Sequence, residues 1–260
     1  MPTINPLNSG KPKSGLRFDR IRQSRAKLTQ EQMDIIIGSI LGDGSVDKHG
    51  HFTEEHSIKQ ADYLLWKYNL LRDLCASEPK ISKRGVAIRF RTRKIFEELR
   101  EEWYGTGRKA LPEHFEEYLN PRVFAIWFMD DGDKKGSSHK GKTVEYLADF
   151  GMRLSICCFN RKESRRIERA FALFGIVARA KREGKYYRLS IPSSNGNSKK
   201  FADMIKPYMT ECMLYKIPDF RPSERGKHWG NKRQIKDGKG RFTGRYEAEG
   251  VETRQGAAHA

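Results

Sequence analysis

The chain has 260 residues and a formal net charge of +18, because 51 Lys and Arg side chains stand against only 33 Asp and Glu. This excess favours a polyanionic partner over an acidic small molecule, with nucleic acid as the first candidate and a membrane surface as the second. A hydrophobic fraction of 37% is low but sufficient for a packed core in a chain of this length.

Neither a membrane span nor a secretory signal is apparent in the sequence. No apolar segment approaches the roughly 20 residues of a transmembrane helix, and the first residues lack an apolar core. The four cysteines show no CxxC spacing and no neighbouring His ligands, so they indicate neither zinc nor a disulfide framework. We therefore expect an intracellular protein with no membrane partner.

The positive charge is concentrated at both ends. Residues 1–27 contain seven Lys or Arg against one Asp, and residues 221–260 contain ten against five acids. Both stretches are rich in Gly, Ser, Asn and Pro without a hydrophobic period, which predicts a flexible N-terminal arm and a basic Gly-rich C-terminal tail around a core of residues 28–220. Either stretch could bind a partner or simply keep the chain soluble.

The core contains the same series of elements twice, and the first copy covers residues 28–118. Its opening helix, Leu28–Asp43, has Thr29 as N-cap and Gln32 in the capping-box position, and it ends in the sequence IIGSILGDG. The hydrophobic pattern then predicts strands, helix, strands and a last helix, in the order Gly44–Asp47, His51–Lys59, Ala61–Ala76, Lys80–Arg84, Val86–Arg93 and a helix from Ile95 to Trp103.

The second copy covers residues 119–220 and opens on Pro121, a good first-turn residue, in a helix that ends in FAIWFMDDG. The elements predicted after it are strands Val144–Phe150 and Met152–Phe159, helix Glu163–Phe174, strands Val177–Arg182 and Tyr186–Ile191, and helix Lys199–Tyr208. The predicted fold class is therefore α+β, a pseudo-twofold duplicated αββαββα core with two antiparallel sheets and paired central helices. Asp43 and Asp131, each directly before a glycine, occupy equivalent places.

Polar and apolar residues alternate along the strands, which predicts one apolar and one cationic face for each sheet. In the strand Val86–Arg93, Val86, Ile88 and Phe90 should face the core. A solvated face is often polar in any case, but four strands biased to Arg, Lys and Ser favour a binding role, and such a β-ribbon fits the major groove of double-stranded DNA. The residues predicted to bind DNA are Lys80, Ser82, Arg84, Arg89, Arg91, Arg93, Arg153, Ser155, Arg179, Lys181, Tyr186, Arg188 and Ser190.

The two matched acids point to metal chemistry. If the two helices pack side by side, with the small residues Gly38, Gly42 and Ala125 allowing close approach, Asp43 and Asp131 emerge together at the cationic face. Two carboxylates beside DNA phosphates need a hard cation between them, and Mg²⁺ takes such oxygen ligands. The expected chemistry is metal-assisted phosphodiester hydrolysis.

The two helix-end sequences resemble the signature motifs of single-chain LAGLIDADG homing endonucleases. IIGSILGDG (Ile36 to Gly44) and FAIWFMDDG (Phe124 to Gly132) are similar to the two motifs of intron-encoded members with a WFMDDG second motif. The resemblance covers about residues 28–220 and includes the doubled αββαββα order. The pair of motifs in register with the two repeats is far more specific than either motif alone.

The resemblance implies a pseudo-symmetric monomer that lays two β-saddles in successive major grooves and cleaves both strands of a long asymmetric site, leaving 3′ cohesive ends. It places the metal on Asp43 and Asp131, with help from the peptide carbonyls of Gly42 and Asp130. Mg²⁺ is the expected ion, Mn²⁺ or Ca²⁺ could take its place, and Ca²⁺ should not support turnover. The implied compartment is an organelle, or the cytoplasm of a bacterium or phage-infected cell.

Members of this family also carry a basic residue near each active site. Lys109 and Lys216 are the candidates here because each stands shortly before a proline in a parallel context, Lys-Ala-Leu-Pro and Tyr-Lys-Ile-Pro. Either could stabilise the pentavalent phosphate or help to activate water. The second motif departs from the usual pattern in having Ile126 where glycine is common, which argues against very close helix approach.

Other polar residues could join a water network at the sites, namely Glu55, His56, Gln60 and His139. The simpler interpretation, which we favour, is that they are ordinary exposed residues. Asp130 directly precedes the aligned acid, and we choose Asp131 as the catalytic residue because it aligns with Asp43 directly before a glycine.

Two other functions fit the same sequence. The first is an RNA maturase that assists splicing of a host intron, for which the two acids and two lysines would be unnecessary. The second is a non-catalytic DNA-binding regulator, for which an attached helix-turn-helix would be expected, whereas residues 221–260 are too Gly-rich for one.

Overall fold

The computed structural model describes residues 28–135, 151–218 and 220, and the backbone strands 232–236 and 242–248. The predicted N-terminal arm, residues 1–27, lies outside the described residues. Of the predicted C-terminal tail, residues 221–260, only the two strands are described.

The predicted order αββαββα occurs twice, which confirms the α+β fold class. The first series is α1 (Gln30–Leu41), β1 (Ser45–Val46), β2 (His51–Ser57), α2 (Ala61–Leu71), β3 (Lys80–Ile81), β4 (Ala87–Lys94) and α3 (Glu97–Tyr104). The second series is α4 (Pro121–Asp131), β5 (Gly132–Lys135), β6 (Gly151–Ser155), α5 (Arg161–Leu173), β7 (Arg179–Glu183), β8 (Tyr186–Ile191) and α6 (Asn197–Ile205).

Each series forms a four-stranded antiparallel sheet, with strand orders β1-β2-β4-β3 and β5-β6-β8-β7. Ser45 pairs with Thr53 in the first sheet, and Asp133 pairs with Arg153 in the second. Because Ser45 and Asp133 both follow the glycine after the helix-end acid, Thr53 and Arg153 are equivalent. Positions along β2 therefore correspond to positions 100 residues later along β6.

The first strand of the second sheet differs from the prediction. β5 follows α4 directly, at Gly132–Lys135, and pairs with β6, whereas the sequence pattern predicted a strand at Val144–Phe150. The charged residues of β5 gave no hydrophobic alternation to detect, and residues 144–150 lie outside the described part of the chain. Val86 is also 60% exposed rather than facing the core, because it lies in the turn before β4 begins at Ala87.

The central helices begin as the sequence predicts. Thr29 accepts a hydrogen bond from the Gln32 backbone N–H, and the Gln32 side chain accepts one from Thr29 N–H in return. Asn120 caps α4, with Pro121 in its first turn. Such a cap stabilises a helix by about 1 kcal/mol, and both helices are otherwise held by their mainly apolar, buried surfaces.

Helices α1 and α4 pack at very short range where α1 carries glycine. A Cβ atom built on Gly38 would lie 2.5 Å from Ile126 Cβ, and one built on Gly42 would lie 2.5 Å from Asp130 Cβ. The expectation that Ile126 prevents close approach is therefore wrong, because Gly38 supplies the missing space opposite it. Ala125, the neighbour of Ile126 on α4, is fully buried.

Aromatic residues fill the core on both sides of the helix pair. Phe124 lies against Phe171 and Phe174 in the second half, at ring separations of 4.7 and 5.0 Å. Phe52 lies against Phe90 in the first half, at 6.0 Å. Each such buried side chain contributes about 1.5–3 kcal/mol. Within the described residues, the helices are all too short or too polar to cross a membrane.

A separate unit contains an antiparallel hairpin of β9 (Lys232–Lys236) and β10 (Phe242–Ala248). The sequence analysis predicted no strands there. The available signal was Asp237-Gly238, a common hairpin-turn sequence with short β-forming runs on both sides, which the high Gly content of the region obscured.

Candidate active site

The two predicted catalytic acids stand at matched helix ends. Asp43 follows Gly42, the C-cap of α1, and its side chain is 43% exposed, whereas Asp131 is the last residue of α4 and only partly exposed. Burial raises the pKa of Asp131 to about 7, and the negative charges of Asp43 and Asp130 add to the increase. Three carboxylates are therefore crowded at the meeting point of the two helix ends.

The two predicted lysines contact equivalent peptide carbonyls. Lys109 Nζ donates a hydrogen bond to Gly42 O at 2.8 Å, and Lys216 Nζ donates one to Asp130 O at 2.9 Å. Gly42 and Asp130 each directly precede the predicted catalytic acid of their half. The two carbonyl oxygens that were predicted to bind metal thus accept hydrogen bonds from the two predicted lysines. Both lysines therefore lie beside the acids.

The electrostatics of these lysines is consistent with their place among acids. Burial lowers the pKa of Lys216, although the carboxylates of Asp130, Asp43 and Asp131 oppose that change. Lys109 and Lys216 in turn oppose the increase in the pKa of Asp131. The site therefore combines concentrated negative charge with two ammonium groups on its border.

Asp130 is the centre of a network that the sequence analysis did not predict. Its Oδ1 accepts hydrogen bonds from Tyr63 OH and from Lys67 Nζ, both at 2.7 Å. Its Oδ2 faces the backbone N–H of Asp43 at 3.4 Å. We call Glu54, His56, Tyr63, Lys67 and Asp130 the polar cluster. The Asp130 carboxylate, not only its carbonyl, thus contacts the predicted catalytic acid of the other half.

Lys67 is fully buried, and its ammonium group binds three oxygen acceptors and lies 4.5 Å from the centre of the Tyr63 ring. It donates to Ser39 Oγ at 2.8 Å, to Asp130, and to Glu54 Oε1. Burial acts to lower the pKa of Lys67, but the two carboxylates outweigh it and raise that pKa. Burial likewise acts to raise the pKa of Glu54, but Lys67 and His56 lower it to about 2. Glu54 and Lys67 therefore form a buried ion pair.

The sequence did contain a signal for this cluster. Lys67 interrupts the apolar face of α2 between Leu64 and Leu71, at helical spacing, and Glu54 and His56 alternate with exposed residues on the core side of β2. A charged residue on a buried face requires a partner. The pattern was consistent with a buried network, although it could not identify the partner on α4.

His56 is buried, with 6% exposure, so its interpretation as an exposed polar residue is wrong. Its Nε2 lies 2.8 Å from Glu54 Oε1, and its Nδ1 lies 3.6 Å from Asp43 Oδ2. Glu55 is exposed and Gln60 half-exposed, as expected, while His139 lies outside the described residues.

Three of these residues could hold a metal ion together. One ligand atom each from Asp43, His56 and Asp130 lie within 4.8 Å of one another. Two of these three ligands are carboxylates, and Asp131, which is outside the group, adds a further carboxyl group whose pKa is raised by burial and by the charges of Asp43 and Asp130. Oxygen-rich, crowded carboxylates suit a hard divalent ion, so the residues present fit one.

The predicted DNA-binding residues share one face of each sheet, because residues paired directly across antiparallel strands point the same way. The first sheet has one such cross-strand row, formed by Glu55, Arg89 and Lys80. The second sheet has two rows: Arg153, Ser190 and Arg179 form one, and Ser155, Arg188 and Lys181 form the other. All these side chains are exposed or half-exposed, whereas the intervening residues such as Leu154 and Leu189 are buried.

Several arginines on these faces are already engaged with the protein. Arg91 pairs with Asp47, Arg153 makes a two-pronged pair with Asp133, and Arg188 pairs with Glu183. Arg93 donates to the Asp73 carbonyl at 2.6 Å. Ser82 and Arg84 lie in the segment between β3 and β4, and Tyr186 is the first residue of β8. The faces are thus cationic but partly neutralised.

Comparison with known proteins bears on the same region. The sequence model of the LAGLIDADG DNA endonuclease family matches residues 33–199. A protein named RecA from Mycolicibacterium flavescens is 33% identical over 206 residues, which are 75% of this chain and 48% of that protein. The chain thus spans about half the length of such RecA relatives.

Two smaller relatives are matched over more of their length. DNA endonuclease I-ChuI of Chlamydomonas applanata is 25% identical over 74% of this chain and 96% of its own. Cytochrome b mRNA maturase bI2 of Debaryomyces hansenii is 26% identical over 74% of this chain and 76% of its own.

A solved structure shares the fold. The homing endonuclease I-WcaI, bound to its DNA recognition sequence, is 21% identical and superposes with a TM-score of 0.63, over 82% of this chain and 94% of that one. The family model covers more than half of the chain, including both helix-end acids. The chain therefore belongs to the LAGLIDADG DNA endonuclease family.

Proposed function

We propose that the chain is a single-chain homing endonuclease with two motifs, the second of the WFMDDG type, that cuts both strands of double-stranded DNA with the help of Mg²⁺. The observation that carries the proposal is the matched geometry of the two helix ends. Each presents an acid directly after a carbonyl that a lysine contacts, Lys109 on Gly42 and Lys216 on Asp130.

The acids would hold the divalent ion. Asp43 and Asp131 are the carboxylate ligands in this proposal, with the Asp130 carboxylate close behind and the carbonyls of Gly42 and Asp130 in reach if the lysines release them. When bound, such an ion lowers the pKa of a water molecule and neutralises charge on a phosphate. The raised pKa of Asp131 indicates that the protein alone leaves this charge uncompensated.

The lysines would act on the phosphate. An ammonium group beside each acid can approach the non-bridging oxygens of a phosphodiester as negative charge accumulates on them. Lys216 is only partly exposed to water, which strengthens such an interaction relative to a fully exposed lysine. In this role Lys109 serves the half that carries Asp43, and Lys216 serves the half that carries Asp131.

The sheets would bind the DNA. Their cationic rows suit phosphate oxygens and base edges in the major groove. Because the two sheets carry different residues at equivalent positions, for example Glu55 against Ser155, the proposed target is asymmetric. We further propose that the protein acts as a monomer on a long target, leaves 3′ overhangs, and works inside an organelle, a bacterium or a phage-infected cell.

Selection of cleavable sites from a randomised DNA library tests this function. Wild-type protein with Mg²⁺ should enrich one long asymmetric site cut in both strands with 3′ overhangs, and Mn²⁺ should also support cleavage. Ca²⁺ should support binding without turnover, and EDTA should abolish cleavage. Cleavage that persists in EDTA would contradict the metal role, and specific binding without cleavage would favour a non-catalytic regulator.

The maturase relative supports a second function, assistance of intron splicing through RNA binding. A splicing assay distinguishes a maturase from an endonuclease. It measures splicing of an intron carrying this reading frame with the wild type and with Asp43→Asn. A pure maturase splices equally with both and cuts no DNA. An endonuclease with added maturase activity loses only DNA cleavage in the variant.

A further inference from the structure

The residues that the first half contributes to the polar cluster have apolar counterparts at the equivalent described positions of the second half. By the offset of 100 residues between β2 and β6, Leu154 and Ile156 stand where Glu54 and His56 stand in the first half. Leu154 and Ile156 are both 1% exposed. The fold therefore accepts ordinary apolar side chains at these two positions.

The helix behind the strand shows the same difference. Lys67 is the seventh residue of α2, and Ile167 is the seventh residue of α5; both are fully buried. Burying an ammonium group and a carboxylate where an isoleucine and a leucine would serve costs free energy that packing does not recover. A local function on the Asp43 side explains why the polar groups are present.

The carboxylates around His56 outnumber the cations that bind them, because the ammonium groups of Lys109 and Lys216, on the border of the site, donate their hydrogen bonds to peptide carbonyls. The carboxylates of Asp43, Glu54 and Asp130 surround the site, and Lys67 is the cation bound to two of them. Both Glu54 and Asp130 side chains are fully buried, so solvent screens them weakly. One more positive charge near Asp43 would bring the group closer to neutrality.

The orientation of His56 suits it to bind that charge. Glu54 Oε1 accepts a hydrogen bond from Lys67 Nζ and lies 2.8 Å from His56 Nε2, so this oxygen acts as an acceptor and His56 donates its Nε2–H to it. In the neutral ring this leaves a lone pair on Nδ1, which faces Asp43 Oδ2 at 3.6 Å, beyond hydrogen-bond range. An imidazole held by a carboxylate on one nitrogen and open on the other is the usual arrangement of a metal-binding histidine.

We propose that His56 is a nitrogen ligand of the divalent ion at Asp43, so that the two active sites have different donor sets. The inference rests on the proposed function, which requires a divalent ion at this place. Ile156 cannot donate to a metal, so the Asp131 side is left with oxygen donors. An imidazole ligand favours later divalent ions over Mg²⁺, and therefore Mn²⁺ binding should be tighter on the Asp43 side.

Pulsed electron paramagnetic resonance of Mn²⁺ bound to the full-length, DNA-free protein tests the assignment. The wild type should show a ¹⁴N coupling of a directly bound nitrogen, and the coupling should change to that of ¹⁵N when histidine is isotopically labelled. This experiment requires no variant. Bound Mn²⁺ without a histidine nitrogen coupling would overturn the proposal.

Variants then identify the histidine. His56→Gln should lose the nitrogen coupling and weaken Mn²⁺ binding roughly tenfold or more. The matched control is His51→Gln on the same strand, whose Nδ1 lies 2.9 Å from Thr92 O, and it should keep both properties. Coupling that survives in a folded His56→Gln would overturn the assignment. If that variant does not fold by circular dichroism, Asp43→Asn, at an exposed position, must lose the coupling.

The outcomes separate this inference from the endonuclease function. Mn²⁺ bound through oxygen alone, together with intact DNA cleavage, overturns the role of His56 and leaves the function standing. Absence of both divalent-ion binding and cleavage overturns both proposals.

Discussion

Lys67 Nζ and Asp130 Oδ1 lie 2.7 Å apart, with both side chains fully buried, and this contact joins the second helix of the first half to the central helix of the second half. Glu54 and Ser39 bind the same ammonium group. The two halves are thus connected by a charged contact beside the proposed catalytic acids as well as by apolar packing.

Removal of Lys67 should destabilise the protein strongly. Lys67→Met keeps the volume of the side chain but leaves the carboxylates of Glu54 and Asp130 buried without their cation, which should lower the free energy of unfolding by about 3–5 kcal/mol. Urea unfolding at neutral pH measures the change. The control, Lys199→Met, removes an exposed pair with Asp203 and should have little effect. Equal changes in both variants would contradict the buried-pair account.

The close helix contact predicts coupling between Gly38 and Ile126. Gly38→Ala forces a Cβ to within 2.5 Å of Ile126 Cβ and should cost about 1–3 kcal/mol by overpacking. Ile126→Ala opens space at the same point, so the double variant should recover part of the loss made by Gly38→Ala. A double-mutant cycle from chemical denaturation measures the coupling. Strictly additive effects would show that the helices do not meet at this pair.

Asp131 should make the metal-free protein less stable as the pH rises. Folding raises its pKa from 3.8 to about 7, so the folded state holds this proton more tightly, and stability is lost as the pH rises from about 4 through 7. Asp131→Asn cannot lose a proton and should therefore be more stable than wild type at pH 8 by roughly 2–4 kcal/mol, with the difference shrinking toward pH 4.

Thermal unfolding of both proteins in chelator across pH 4 to 8 measures this difference. Asp203→Asn, at an exposed position, is the control and should follow the wild type throughout. Parallel pH curves for wild type and Asp131→Asn would contradict the crowded-carboxylate description of the site.

The sheet faces predict a salt-dependent affinity for DNA. Lys181 is exposed in a cross-strand row with Arg188 and Ser155, so Lys181→Ala should weaken binding and reduce the slope of log affinity against log salt by about 1. Lys199→Ala, on helix α6, should leave the slope unchanged. Fluorescence anisotropy with the selected target in Ca²⁺ gives both slopes. A slope that both variants share with the wild type would exclude the sheet as the phosphate-binding surface.

Local rules were sufficient to predict the helices, most strands and the duplication. Thr29 as a cap and Pro121 as a first-turn residue predicted the helix starts, and alternation predicted which face of β8 or β4 is buried. The position of β5 was not predictable, because its pairing with β6 depends on backbone hydrogen bonds and its side chains are charged.

The polar cluster was beyond sequence reasoning for a different reason. Lys67 and Asp130 are 63 residues apart, and their contact depends on how α2 packs against α4. The contacts of Lys109 and Lys216 were unpredictable for the same reason, because each lysine is distant in sequence from the carbonyl that it contacts. The sequence indicated the chemical types in the site but not which atoms meet.

The central claim is that Asp43 and Asp131 together form the metal-dependent active site. Its most direct test is cleavage of the selected target in Mg²⁺ by Asp43→Asn and Asp131→Asn, with binding of the same DNA measured in Ca²⁺. Each variant should lose double-strand cleavage while keeping most of its affinity, because the proposed DNA contacts lie mainly on the sheets. Wild-type cleavage by either folded variant would contradict the claim.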